Sequence, residues 1–157
     1  MISKRFLLVG SLLLCSSSYG QEQDASLKLG IGPGGLIVGG EFIMKDTPAE
    51  GFGGYFSMHS KDEDDGAPGL TALGATFKLS QRFGPYEVYL SPGIGIVNYD
   101  FGDDDDLLIG PRLAIGLHAE LDANLGLGFE NQKLYSYMGE REGLLDDSFL
   151  LTVRFSM

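Results

Sequence analysis

The sequence predicts an all-β fold, an up-and-down antiparallel barrel of about eight strands. Three observations carry this. Apolar residues recur with a period of two along nearly the whole chain after residue 21, and no segment there keeps them at i, i+3, i+4 and i+7 for three turns. Glycine, 24 of 157 residues, recurs too often for stable helices. The segments between the alternating stretches are short turns and acidic loops in regular succession. The length fits one domain. A hydrophobic fraction of 43% with ten Phe and seven Tyr excludes a disordered acidic chain. A net charge of −11 without any basic stripe excludes nucleic acid as a partner.

Residues 1–20 read as a secretory leader to be cleaved between Gly20 and Gln21. Lys4 and Arg5 form the charged start, Phe6 to Leu14 the apolar stretch, and Ser18-Tyr19-Gly20 a small-x-small site. The apolar run is about half of what a spanning helix needs. Cys15 is the single cysteine, so the mature chain is expected to carry no thiol, disulfide or thiolate metal ligand.

The strands follow in order at about 25–33, 35–44, 52–60, 70–79, 86–99, 107–121, 125–137 and 148–157. Pro33-Gly34-Gly35 reads as a tight hairpin between the first two; one long strand over 25–44 is the alternative and leaves seven strands. The clearest alternation is in 107–121, where Leu107, Ile109, Leu113, Ile115, Leu117 and Leu121 oppose Gly110, Arg112, Gly116, His118 and Glu120. One segment fits poorly, since Asn131 and Lys133 fall on the apolar phase of the seventh strand. A phase-shifting bulge or a strand rising out of the apolar band would each account for that.

After the first hairpin, modest turns (45–51, 80–85, 122–124) alternate with acidic connectors (61–69, 100–106, 138–147). In an up-and-down barrel alternate connectors share an end, so the three acidic loops are expected at one pole, with thirteen acidic residues against two basic ones.

The non-apolar phase decides which face is inside. It is rich in glycine, not in the Lys and Glu of a solvated exterior. Its charges are four basic (Lys28, Lys78, Arg112, Arg154) and four acidic (Glu41, Glu87, Glu120, Glu130). A narrow eight-stranded lumen has little room and requires its buried charges to be matched. The apolar phase then faces lipid, and strands of this length cross an apolar band of about 25 Å. Closure pairs every backbone donor, which lets such a fold sit in hydrocarbon.

At this point the chain resembles the small outer-membrane β-barrel proteins of Gram-negative bacteria over nearly the whole mature region. The likeness rests on the glycine-alternating stretches 89–95 and 115–130 and on the terminal strand. That strand looks like the family's insertion signal, with Phe155 and Met157 at alternating apolar positions, although it ends in Met157 instead of an aromatic. The resemblance implies residence in the outer membrane, contact with its lipid and lipopolysaccharide, recognition by the barrel-insertion machinery, and a monomer.

Candidate chemistry is sparse. His59 and His118 are the two histidines; both fall on the lumen phase, where a hydrogen-bonded structural role is expected and the pair is too sparse for a metal site. Asp103, Asp104, Asp105 and Asp106 are the densest oxygen cluster but lack the alternating ligands and turn glycine of a calcium loop, so a solvated acidic loop is expected. Gly30-x-Gly32 and Gly93-x-Gly95 are strand glycines without a following helix, hence no phosphate loop. No cofactor is expected. The functional expectation is a non-enzymatic outer-membrane barrel with a filled polar lumen and acidic external loops. The rivals are an envelope lipid-modifying enzyme and a soluble periplasmic lipocalin-like carrier.

Overall fold

The computed structural model describes residues 22–157 apart from 33, 63–65, 103 and 140–141, and the backbone alone of Asp104 and Asp105. The proposed leader through Gly20, and Gln21 after the expected cleavage point, lie outside the described residues. Eight strands follow in order: β1 (Gln23–Gly32), β2 (Gly35–Thr47), β3 (Glu50–His59), β4 (Gly69–Phe83), β5 (Tyr86–Phe101), β6 (Asp104–Glu120), β7 (Leu125–Ser136) and β8 (Gly143–Ser156). Each pairs antiparallel with its neighbour, and β8 pairs with β1 to close the barrel.

The turns explain themselves chemically. Gly32 pairs with Gly35, whose φ of +99° suits glycine, so 25–44 is two strands joined by a hairpin. Gly84, at φ +62°, supplies the left-handed conformation that the two-residue link between β4 and β5 needs. The Asp122 carboxylate accepts hydrogen bonds from the backbone N–H groups of Asn124 and Leu125, closing the β6–β7 turn. The connectors β1–β2, β3–β4, β5–β6 and β7–β8 share one end, the loop pole. The start of β1 and the end of β8 lie at the other, where Gln23 and Met157 exchange backbone hydrogen bonds of 3.0 and 2.8 Å.

Strand boundaries differ from expectation at four connectors. β2 runs on to Thr47 and β3 begins at Glu50, so the 45–51 turn shrinks to Pro48-Ala49. Ser80, Gln81 and Arg82 continue the β4 ladder to Phe83, so the 80–85 turn shrinks to Gly84-Pro85. The acidic segment 100–106 is largely a hairpin extension, with Asp100 opposite Asp105 and Phe101 opposite Asp104. The connector 138–147 ends early, because β8 begins at Gly143 and takes Asp146 and Asp147 into the barrel wall.

Alternation sorts the side chains. Leu27, Leu29 and Ile31 point out while Lys28 between them is buried, and the same contrast runs along Phe149, Leu151, Val153 and Phe155 against Leu150, Thr152 and Arg154. The misfit in β7 is genuine. The register shift between β7 and β8 comes at Leu134/Tyr135, beyond Asn131 and Lys133, and sets aside Leu145 of β8. Asn131 and Lys133 therefore stay outside, where both hold the Asp147 carboxylate.

The interior is polar over only part of its length. Toward the loop pole it becomes an apolar core of Tyr55, Leu70, Ala72, Val97, Tyr99, Leu108 and Leu134, flanked by Phe101 and Leu145. That packing caps the charged part of the lumen on the loop side.

Candidate functional site

The middle of the lumen holds two cations and two carboxylates, each from a different strand. Lys28 of β1 contacts Glu41 of β2 and both oxygens of Glu130 of β7, at 2.9 and 2.6 Å. Arg112 of β6 reaches Glu130 at 3.0 Å and Glu41 at 3.4 Å through Nη2, and donates from Nε to Gln132 Oε1 at 2.8 Å. Tyr89 donates to Glu130 at 2.7 Å and Ser91 to Glu41 at 2.7 Å. All are buried. Desolvating four charges is expensive, and their mutual attraction compensates only with good geometry and further hydrogen bonds, which the two hydroxyls and Gln132 supply.

A second cluster occupies the turn pole. Glu87 meets Lys78 at 2.9 Å, Arg154 at 2.5 Å and Arg82 at 3.5 Å. Glu120 meets Arg82 at 3.1 Å and Arg154 at 3.2 Å. Below it Lys45 bridges Glu22 at 2.8 Å and Asp24 at 3.2 Å. The structure thus brings the eight charged residues singled out from the sequence into two groups and adds Arg82, Lys45 and Asp24. Sequence reasoning missed these three because each lies where a turn or a strand end was drawn.

The histidines stand apart. His118 bonds Thr152 at 2.7 Å and stacks on Tyr89 with ring centres 4.9 Å apart. His59, near the loop pole, has Nε2 3.3 Å from Ser57 Oγ and Nδ1 3.4 Å from Asp146 Oδ1. This is the order of a hydroxyl–imidazole–carboxylate relay, yet Ser57 is only 1% exposed beneath the imidazole, so a substrate carbonyl does not reach its oxygen.

Two tyrosine rings fill space that glycines vacate. Cβ atoms built on Gly74, Gly93 and Gly95 would lie 2.8, 3.2 and 2.7 Å from Tyr55, whose ring in turn carries the Arg112 guanidinium at 4.5 Å. The three atoms nearest a Cβ on Gly116 would all belong to Tyr89, the first at 2.3 Å. Gly116→Ala is expected to cost about 1–3 kcal/mol through overpacking. Combined with Tyr89→Leu, the loss should fall short of the sum of the single losses, because both changes act on one contact. Urea unfolding followed by circular dichroism measures both, and additive losses would show that the ring is not what excludes the methyl group.

The remaining sequence candidates are placed as follows. Asp103 and the side chains of Asp104 and Asp105 lie outside the described residues, and Asp106 pairs with Tyr99 in the β5–β6 ladder. Phe155 faces outward between Ala25 and Leu125, its partners on the two flanking strands. Gly30, Gly32, Gly93 and Gly95 are all strand residues. A cleft at the loop pole, lined by Gly32, Ile37, His59, Ala67 and Asp146 among others, has about 20 Å³ for water centres; one at the turn pole beside Lys45 and Lys78 has about 10 Å³. Each is of the order of one water.

No family model and no curated protein matches the chain. Solved structures do. Neisserial surface protein A, NspA, superposes with a TM-score of 0.62 at 15% identity, covering 86% of this chain and 94% of its own. The N-terminal β-barrel domain of Pseudomonas aeruginosa OprF gives 0.65 at 14% identity, covering 87% and 97%. A barrel from de novo design of transmembrane β-barrels gives 0.60 at 14% identity, covering 90% and 98%. The likeness is one of fold: the closed eight-strand antiparallel barrel of this chain is that of the small outer-membrane β-barrels.

Proposed function

We propose that the protein is a non-enzymatic integral outer-membrane barrel, exported by the leader in residues 1–20, that anchors itself as a monomer in lipid and lipopolysaccharide and presents its acidic loop pole outside the cell. The observation that carries this reading is the apolar exterior. Leu29 is 54% exposed, Ile31 79%, Phe129 66% and Phe149 74%, and the exposure continues around all eight strands. A water-soluble monomer rarely leaves so extensive an apolar surface uncovered. The packed lumen supports an anchor or surface-interaction role over a pore, since eight strands enclose little more than their own side chains. The terminal strand, with Phe155 and Met157, serves the insertion machinery.

The test is fractionation of cells expressing the full chain, with a boiled-against-unboiled gel shift and protease added to intact cells. We expect the protein in the outer membrane, heat-modifiable, and cut only at the loop pole. A folded protein that stays soluble without detergent would replace this reading with the lipocalin-like carrier.

A further inference from the structure

The pairing of His59 with Asp146 at the loop pole is used by nothing described above. His59 ends β3 and Asp146 lies early in β8, two strands that do not pair, because β1 and β2 stand between them. Their facing atoms, Nδ1 and Oδ1, are 3.4 Å apart. That exceeds the roughly 2.7–2.9 Å of a charge-assisted hydrogen bond. It matches the edge spanned by two ligands bound at about 2.0–2.1 Å to one tetrahedral ion.

Each group is also oriented from behind by a hydroxyl on its own strand. Ser57 Oγ lies beside His59 Nε2, and the Ser148 hydroxyl donates to the other carboxylate oxygen, Oδ2. In the tautomer whose Nε2–H donates to Ser57, Nδ1 turns a lone pair toward a carboxylate, an arrangement that a cation between them satisfies. Both side chains line the loop-pole cleft, which has room for about one water. Gly32, Gly34 and Gly35 of the β1–β2 hairpin border that cleft, and a Cβ on Gly32 would crowd Ile37 at 2.8 Å while reaching Asp146 Oδ1 only at ordinary contact distance, 3.6 Å. Among the described residues no third His, Cys, Asp or Glu joins them.

We propose that His59 Nδ1 and Asp146 Oδ1 form a binding site for a divalent transition-metal ion of the Zn²⁺ or Cu²⁺ type, tying β3 to β8 across the mouth of the barrel. The imidazole selects against Ca²⁺ and Mg²⁺, which prefer all-oxygen shells.

The test uses the full barrel folded in detergent and Cu²⁺ as the probe. Electron spin-echo spectroscopy of the first equivalent should show one coupled imidazole nitrogen. His59→Gln should abolish that coupling, Asp146→Asn should weaken binding at least tenfold, and His118→Gln should leave the coupling intact, each variant being checked for folding by its heat-modified gel shift. A second measurement needs no substitution: Zn²⁺ should protect His59 of the unaltered protein from carbethoxylation. Oxygen-only coordination, nitrogen coupling that survives in His59→Gln, or carbethoxylation of His59 unaffected by Zn²⁺ would each overturn the site.

Discussion

Arg112→Ala is expected to destabilise the barrel by about 3–5 kcal/mol, the largest effect of any single truncation in the lumen. Removing the guanidinium leaves Glu41 and Glu130 sharing Lys28 alone, so a buried site that balanced two charges against two would hold two carboxylates and one ammonium. It also strips Gln132 of its donor and the Tyr55 ring of its cation. Equilibrium urea unfolding in lipid vesicles, read by circular dichroism, gives the number. Adding Glu130→Gln should recover part of the loss, because it restores a one-to-one balance between Lys28 and Glu41. A loss below about 1 kcal/mol would mean that the site is solvated and that its ion pairs behave like surface ones.

Leu151→Arg is expected to cost about 2–4 kcal/mol in the same vesicles. Leu151 is 59% exposed, in the middle of the outward run Phe149, Leu151, Val153 and Phe155, with Leu29 and Phe129 as its partners on the flanking strands. An arginine there would face hydrocarbon near mid-band. Leu121→Arg, at the turn-pole rim, is similarly exposed at 58% but should cost no more than about 1 kcal/mol, because the guanidinium reaches the headgroups. Equal small losses at both positions would show that the exterior does not face lipid. The contrast isolates depth in the membrane from the chemistry of the substitution.

What could be read from the residues followed from contrast between neighbours. Where Leu27 and Leu29 flank Lys28, or Ile115 and Leu117 flank Gly116, two unlike phases identify strand and face together. The apolar cap of the lumen was illegible for the opposite reason. Leu108 of that cap lies between Leu107 and Ile109, and Val97 follows Ile96, so inward and outward positions are chemically alike there and alternation vanishes; the buried Leu150 and Ile37 are hidden in the same way. Turn composition misled at two points. Ser80-Gln81-Arg82 has the look of a connector, yet cross-strand pairing with Val88 and Glu87 holds Gln81 and Arg82 extended and brings Arg82 to Glu87 and Glu120. Asp146 reads as a solvated loop acid because nothing local reveals that β8 starts at Gly143 and carries it inward on the same phase as Ser148, Leu150 and Thr152. Its partner His59 is 87 residues away and becomes visible only once the barrel is closed.

The seam between β1 and β8 also governs the order of events in folding. Ser156 donates to Asp24 across 132 residues of chain, and the register between them runs from Asp24–Ser156 to Ile31–Phe149. No shorter piece of the chain has a counterpart to that pairing. Until the last strand has been synthesised and delivered, β1 and β7 each present an open row of backbone donors and acceptors, the condition under which strands aggregate. The two charge clusters are likewise incomplete before closure, since Arg154 arrives on the final strand and Lys28 waits on the first. Closure is therefore slow by topology, as contacts of such long separation must be. Aggregation competes with folding throughout that interval.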